Sequence, residues 1–198
     1  GDKARLAYAN QEAIAFYTQA LEVRQRLTPA VDDAPLLPVY EGRGRVWHLL
    51  SQYDAAIADF QQMRDLAHRS GRQRQEGESL CYLANAHHMK MTYEHLLLEE
   101  RCAQEAMHLA QQTGDHRILA MSLRVLGTVH QVRGDLQEAE RHLGASLQIS
   151  QREGYTDVLA PTLRTLSAQA YWQGRFQRAI HFGQDSVTVF GDMHSGSD

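Results

Sequence analysis

Self-similarity at an offset of 40 residues constrains the fold of this chain more than any other feature of its sequence. Apolar and small residues of one segment return 40 positions later in the same order: Leu123, Leu126, Gly127, Gly134, Ala139 and Ser146 recur as Leu163, Leu166, Ser167, Gly174, Ala179 and Ser186. Earlier units fill the same places, first with Tyr40, Gly44, Trp47, Tyr53, Ala56 and Phe60, and then with Leu80, Leu83, Ala84 and His87. Such a period is typical of arrays in which each unit packs on the next.

Each unit is predicted to be a pair of helices. Apolar residues recur at helical spacing, as in Leu119, Leu123, Leu126 and Val129 and then Leu136, Ala139, Leu143 and Leu147. The repeated small residues Gly44, Ala84, Gly127 and Ser167 are expected where the two helices of a pair approach closely. No strand-like alternation of useful length is present. The sequence therefore predicts an all-α chain of antiparallel helix pairs.

Local signals predict where the helices end. Gly71, Gly114 and Gly154 are expected to terminate helices in the left-handed conformation, and Asp115 and Asp157 to cap the helices that follow. The offset from Ala84 to Gly127 is 43 rather than 40, which predicts a three-residue insertion in a turn at 91–98. The proline-containing stretch 28–38 is predicted to be the longest linker.

Composition narrows the functional classes. Apolar residues make up 43% and charged residues 22% of the 198 residues, with only four prolines, which favours a helical protein with a core. A formal charge of −4 offers no basic field for nucleic acid. Two cysteines argue against a disulfide-stapled secreted domain, and charges interrupt every apolar run, so we expect a cytoplasmic protein that does not bind membranes. The absence of a secretory signal is weak evidence, because the chain begins partway through a repeat and resembles an excised piece.

The repeated residues resemble the tetratricopeptide repeat, which places an aromatic or Leu, Leu-Gly and Tyr in the first helix and Ala and an aromatic in the second. The closest matches are 123–130 with Ala139 and Leu143, and 40–47 with Ala56 and Phe60. The last unit departs from the pattern at Ser167, Ala170 and Gly183. A period of 40 rather than about 34 residues indicates helices longer by about a turn, similar to arrays in signalling scaffolds and large bacterial regulators.

This resemblance implies one tetratricopeptide-type superhelical array, an α-solenoid, over 1–198. The predicted units are 4–28 (the second helix of a partial unit), 34–71, 76–114, 116–154 and 157–190, with a tail at 191–198. In such arrays the first helices line a concave face. The residues expected there are Glu41, Arg45, His48, Glu78, Asn85, His88, Arg124, Thr128, Gln131, Arg164 and Tyr171.

Three residues of this set suggest a binding chemistry. Arg124 and Arg164 hold equivalent places 40 residues apart, which should set them about 10 Å apart on adjacent helices. We hypothesise that they bind a carboxylate of a peptide, and that Asn85 bonds a peptide backbone. The alternative is that these are ordinary solvated polar residues. The family's known carboxylate clamp uses a Lys where this chain has Cys81, which makes capture of a chaperone C-terminus by that route doubtful.

No arrangement of residues points to catalysis or to a cofactor. The sequence lacks His-Glu-x-x-His, paired Cys-x-x-Cys, a Gly-rich phosphate loop and a Gly-x-Ser-x-Gly elbow. His87 and His130 stand at the family's aromatic core position, so we expect them to pack rather than bind a metal. Cys81 and Cys102 are expected to be buried, inert thiols.

We therefore predict a non-catalytic scaffold, without cofactor or metal, that binds a peptide or helix of another protein in a concave groove as part of a larger signalling or regulatory protein. One alternative is a regulatory or sensor domain of a bacterial-type signalling ATPase or transcription regulator. A third reading is a self-assembly module that forms a homo-oligomer through uncapped array ends.

Overall fold

The computed structural model describes residues 2–26 and 33–195, and all regular structure in these ranges is helical. After α1 (Asp2–Arg26) and a 3₁₀ turn (Ala34–Leu36), the helices are α2 (Leu37–Leu49), α3 (Tyr53–Arg69), α4 (Gln73–His88), α5 (Tyr93–Thr113), α6 (His116–Arg133), α7 (Leu136–Glu153), α8 (Thr156–Trp172) and α9 (Phe176–Ser195). The all-α prediction is confirmed. Residues 28–32 of the predicted linker lie outside the described residues, as does the end of the predicted tail at 196–198.

The chain divides into two compact units, an N-terminal unit (Gly1–Cys102) and a C-terminal unit (Ala103–Asp198). In the N-terminal unit, α2 packs on α3 and α3 packs on α4, while α1 packs on α2 and α2 also contacts α4. In the C-terminal unit, α6 pairs with α7 and α8 pairs with α9. There α8 contacts both α6 and α7. Helix pairs thus build each unit, as the repeat predicts.

Close approach within the pairs depends on the small residues at the repeated position. A Cβ on Gly44 would lie 2.6 Å from the ring of Phe60, and one on Gly127 would lie 2.6 Å from Cγ of Leu143. Real Cβ atoms do not approach so closely, and both partner side chains are essentially inaccessible to solvent. The predicted role of these positions in helix packing is confirmed for both glycines.

A partly buried ion pair joins three helices of the N-terminal unit. Arg43 of α2 donates from Nε (2.9 Å) and Nη2 (2.7 Å) to the two carboxylate oxygens of Asp59 in α3. Its Nη1 donates to Oγ1 of Thr18 in α1 at 3.0 Å. Asp59 is only 4% exposed, so the guanidinium replaces the water that this carboxylate loses on folding.

The predicted helix ends are partly correct. Gly71, Gly114 and Gly154 have φ of +65°, +70° and +73°, which confirms their left-handed conformation. Asp115 caps α6, because its carboxylate accepts hydrogen bonds at 3.0 Å from the backbone N–H groups of residues 117 and 118. The prediction for Asp157 is wrong. Helix α8 already begins at Thr156, and the Asp157 carboxylate instead pairs with the Arg117 guanidinium of α6.

The predicted insertion in the turn at 91–98 is also wrong. Tyr53, Tyr93 and Leu136 each begin a second helix nine residues after the repeated small residue, so the turn keeps its length. The three extra residues lengthen α5 instead, which has 21 residues where α7 has 18. Leucine and glutamate, both good helix formers, fill the first turns of α5 and allow this extension.

Candidate functional site

The predicted binding residues all lie on the first helices of the pairs, one group in each unit. The α6–α8 surface of the C-terminal unit comprises Arg124, Thr128, Gln131, Arg164 and Tyr171. The α2–α4 surface of the N-terminal unit comprises Glu41, Arg45, His48, Glu78, Asn85 and His88. Each of these surfaces is carried by two helices that contact each other.

On the α6–α8 surface, the side chains follow one face of each helix. Arg124, Thr128 and Gln131 are spaced i, i+4 and i+7 on α6, and Arg164 and Tyr171 occupy the positions 40 residues further on α8. The three α6 residues are half-buried, whereas Arg164 and Tyr171 are exposed. Oγ1 of Thr128 donates to the carbonyl of Arg124 at 3.1 Å, within the helix. The surface therefore carries two guanidinium groups and no carboxylate among its five members.

An aromatic cluster extends this surface at the end of α8. Tyr171, Trp172 and Phe176 are 58%, 77% and 58% exposed. The Tyr171 ring lies edge-on to both others, with centroid distances of 5.8 Å. Trp172 and Phe176 were missed by the sequence reasoning. The run of aromatic residues around a glycine turn at 171–176 could have indicated them. Exposed Tyr and Trp beside Arg are typical of protein interfaces.

The acidic residues of the α2–α4 surface are already bound within it. Oε1 of Glu41 accepts from the hydroxyl of Tyr82 in α4 at 3.0 Å and from Nη1 of Arg45 at 3.4 Å. Burial, followed by the charge of Glu41, raises the pKa of Tyr82 well above its usual range, so this hydroxyl remains a donor. Glu78 accepts from Nε of Arg74 at 3.4 Å. These contacts favour a structural contribution from the carboxylates over direct ligand binding.

The other polar side chains of the α2–α4 surface also have internal partners. Nδ2 of Asn85 donates to the carbonyl of Cys81 at 2.9 Å. Burial lowers the pKa of His48, which is partly offset by a hydrogen bond with the backbone of Asn85. Nε2 of His48 is buried and has no hydrogen-bond partner among the described residues. Nδ1 of His88 lies 3.2 Å from the buried carboxylate of Glu99 in α5. Asn85 and His88 therefore make contacts within the chain, whereas Arg164 and Tyr171 are exposed.

Pairs of imidazole rings join first and second helices in both units. His87 is 5% exposed, and its ring stacks on His95 of α5 with an Nδ1–Nδ1 distance of 2.8 Å. His130 stacks on His142 of α7 with ring centroids 5.2 Å apart. Burial, and then the charge of His95, lowers the pKa of His87 to about 4. The predicted packing role of His87 and His130 agrees with this placement.

Neither a metal centre nor a membrane segment can be assigned within the described part of the chain. There, no three His, Cys, Asp or Glu side chains are placed to hold a metal ion together. The helices of the same part are too short or too polar to cross a bilayer. Cys81 and Cys102 are thiols rather than disulfide partners, and both are buried, as expected.

Similar structures are known for this fold. The chain resembles BtubC from P. vanneervenii (19% identity, TM-score 0.69, covering 98% of this chain and 78% of that one). It also resembles aspartyl phosphate phosphatase F from Bacillus subtilis (13% identity, TM-score 0.64, 89% and 54%). A third similar structure is a signal transduction ATPase with a tetratricopeptide repeat sensor from Pyrococcus horikoshii (12% identity, TM-score 0.60, 88% and 27%). The chain thus spans about half or less of the latter two. No curated protein sequence matches it.

The fold shared with these structures is a helical-repeat solenoid. The sequence model of the tetratricopeptide repeat matches residues 119–191, which include α7 and α8 and most of α6 and α9. This segment belongs to the tetratricopeptide repeat family, and the helix pairs of the N-terminal unit repeat the same architecture.

Proposed function

We propose that this chain is a non-catalytic interaction module that binds a peptide or helix of another protein on the first helices of its pairs. The observation that carries the proposal is the α6–α8 surface, where Arg164 and the aromatic cluster of Tyr171, Trp172 and Phe176 are exposed. Arginine and aromatic side chains dominate the energetics of protein interfaces. The tetratricopeptide match to residues 119–191 supports it, because this fold generally serves protein binding.

The charge of this surface favours an acidic partner. Arg124 and Arg164 occupy equivalent positions on contacting helices, and the surface has no carboxylate among its five residues. A guanidinium bonds a carboxylate through two parallel N–H groups, which makes it suited to an Asp, a Glu or a chain terminus. The aromatic cluster would then cover an apolar side chain of the same peptide.

The test is a peptide selection followed by binding measurements on variants. Acidic and basic peptide libraries are displayed against the purified chain, and the best acidic peptide is titrated by fluorescence anisotropy. Arg124→Ala with Arg164→Ala should weaken binding about tenfold per arginine, the size of one partly exposed charge-assisted hydrogen bond. The melting temperature should hardly change.

Arg152→Ala provides a matched control. Arg152 is also an exposed arginine of the C-terminal unit, but it lies on the second helix α7 and pairs with Glu153 at 2.8 Å. This variant should bind like the unchanged chain. Equal binding by the double variant, or selection of only basic peptides, would contradict the proposal. Turnover of a metabolite by the purified chain, without any selected partner, would reverse its non-catalytic part.

A sensor role in a larger regulator is the second candidate. The Pyrococcus horikoshii structure carries its tetratricopeptide repeats as a sensor, and the chain covers 27% of that protein. Under this reading the module would serve within a longer polypeptide, perceiving an effector for a neighbouring domain. A nucleotide-binding or DNA-binding sequence next to this chain in its full-length protein would favour this candidate over an independent scaffold.

Self-assembly is the third candidate, and α9 offers an observation for it. Ile180 and Val187 of this helix are 54% and 73% exposed and lie on one face, at i and i+7. A second copy could cover them. Light scattering over a concentration series distinguishes a monomer from an end-to-end dimer or polymer, and a constant monomer mass would eliminate this candidate.

A further inference from the structure

Helix α9 carries an apolar stripe that is largely exposed. Its five positions follow one another at intervals of four, three, four and three residues, which places them on one side of the helix: Phe176, Ile180, Gly183, Val187 and Phe190. The four side chains of this α9 stripe are between 54% and 73% exposed. At 1.5 Å per residue the row is about 21 Å long. An exposed apolar row of this extent indicates an interaction site.

The repeat shows what kind of element covers the corresponding side of α7. The position of Phe176 corresponds to Leu136, 40 residues earlier, and the carbonyl of Leu136 accepts from Nε2 of Gln169 in α8 at 3.2 Å. At the other end of the row, Ser150 of α7 is 0% exposed, whereas Phe190 of α9 is 57% exposed. Helix α8 packs on α7 and follows it after a short turn, so the two helices run antiparallel. The element that fits this side of a second helix is therefore an antiparallel helix.

The α9 stripe is complementary to itself, because the residue types along it read nearly the same in both directions. A phenylalanine stands at each end, a β-branched residue comes next from either end, and Gly183 lies between. In an antiparallel pair of α9 helices with a two-fold axis near Gly183, Phe176 meets the partner's Phe190. In the same pair Ile180 meets the partner's Val187. An interface between two identical chains related by a two-fold axis requires this reciprocity.

The charges of α9 are compatible with a second copy as the partner. The exposed residues that border the α9 stripe on its solvent side are uncharged: Gln177, Gln184 and Thr188. Arg178 and Asp185 lie on the opposite side of the helix, about half a turn away from the stripe. Two identical stripes therefore meet without opposing like charges, which would otherwise disfavour self-association.

We propose that the α9 stripe is the interface of a homodimer in which the α9 helices of two copies pack antiparallel. This inference rests on the self-assembly candidate above and specifies its geometry. It requires no peptide on the α6–α8 surface, so the two proposals can fail separately.

Sedimentation equilibrium over a concentration series tests the interface. The mass of the unchanged chain should rise to that of two chains and stop there, because a two-fold interface closes on itself. Val187→Asp should raise the dissociation constant about tenfold or more, since it places a carboxylate in the apolar interface. Thr188→Asp is the matched control: it adds the same charge about 100° further round the helix and should dimerise like the unchanged chain. Val187 is 73% exposed, so its variant should keep the melting temperature of the unchanged chain.

Disulfide cross-linking tests the orientation of the two helices. Ile180→Cys and Val187→Cys are mixed in equal amounts and oxidised, and the cross-linked peptides are identified by mass spectrometry. An antiparallel pair should give mainly the mixed disulfide between the two variants, whereas a parallel pair would link each variant to itself and overturn the geometry.

Three results of the sedimentation experiment would overturn the inference: a monomer at every concentration, a mass that grows beyond two chains, or equal dimerisation of Val187→Asp and the unchanged chain. A monomer would leave the α9 stripe to a helix of a different protein. Acidic-peptide binding by a chain that stays monomeric would contradict this inference alone. An intact dimer that binds no acidic peptide would contradict only the function proposed for the α6–α8 surface.

Discussion

Acid should destabilise the N-terminal unit through His87. Its pKa is lowered to about 4 by burial and by the charge of His95, whereas an unfolded histidine titrates near 6.5. The unfolded chain therefore binds the proton more readily. The stability that depends on a neutral His87 ring is complete above pH 6.5 and is lost as the pH falls from 6.5 towards 4. Linkage gives a loss of about 2 kcal/mol by pH 5 and of about 3 kcal/mol near pH 4 from this one group.

The structure shows what surrounds the ring. His87 stacks on His95 and shares a 2.8 Å Nδ1–Nδ1 contact, in which one imidazole donates and the other accepts. A second proton would set two donors against each other. These contacts explain why the neutral ring is favoured.

Urea unfolding at pH 7.5, 6 and 5 measures the effect. The chain has two tryptophans, Trp47 and Trp172. Replacing the 77% exposed Trp172 by Phe leaves Trp47 as a fluorescence reporter of the N-terminal unit. In this background, His87→Phe keeps an aromatic ring against His95 but cannot be protonated there. The fall in unfolding free energy from pH 7.5 to pH 5 should shrink by about 2 kcal/mol.

His68→Gln is the control: the His68 side chain is 75% exposed, and losing its surface contact with Glu76 should change the unfolding free energy by less than about 1 kcal/mol. The reasoning would be refuted if His87→Phe and the parent lost the same free energy between pH 7.5 and pH 5.

Three further predictions concern stability and can be read from urea titrations. Asp59→Ala should cost about 3–5 kcal/mol, because it leaves the Arg43 guanidinium partly buried without its carboxylate, and combining it with Arg43→Leu should recover part of that loss. Asp115→Ala should lower the unfolding free energy by about 1 kcal/mol, because it removes a helix cap. Asp157→Ala should lower it by less than about 1 kcal/mol, because it removes an exposed ion pair. Equal losses would contradict the different roles of the two carboxylates. Gly127→Ala should destabilise the C-terminal unit by about 1–3 kcal/mol through overpacking, and a neutral effect would show that Leu143 can move aside.

The sequence was sufficient to predict features that repeat or that depend on local chemistry. Gly44 and Gly127 recur because a Cβ at that position would overlap the partner helix, and the other two units have the small residues Ala84 and Ser167 there. The left-handed glycines and the Asp115 cap are also local, since their hydrogen bonds lie within a few residues. These signals predicted the helix pairs correctly.

Features that depend on contacts between distant residues were not predictable in the same way. Asp157 is a residue type that often caps helices, but its carboxylate pairs with Arg117, which is 40 residues away in the sequence. That contact forms only when the helix pairs pack on each other. The hydrogen bond from Nε2 of the buried Gln169 likewise depends on a residue of another helix, because its acceptor is the carbonyl of Leu136 in α7. The number of extra residues in this repeat followed from the sequence but their place did not, because the local sequence is compatible both with a longer turn and with a longer α5.

The burial of both thiols allows opening of the N-terminal unit to be measured by thiol labelling. Cys81 is 0% exposed and Cys102 is 9% exposed, and both belong to the N-terminal unit. An alkylating reagent can modify the inaccessible Cys81 only when that unit opens, so pulse-labelling of Cys81 followed by mass spectrometry reports the opening rate of the unit. Any partner that rigidifies this unit would reveal itself as slower labelling, without a dye or an introduced cysteine.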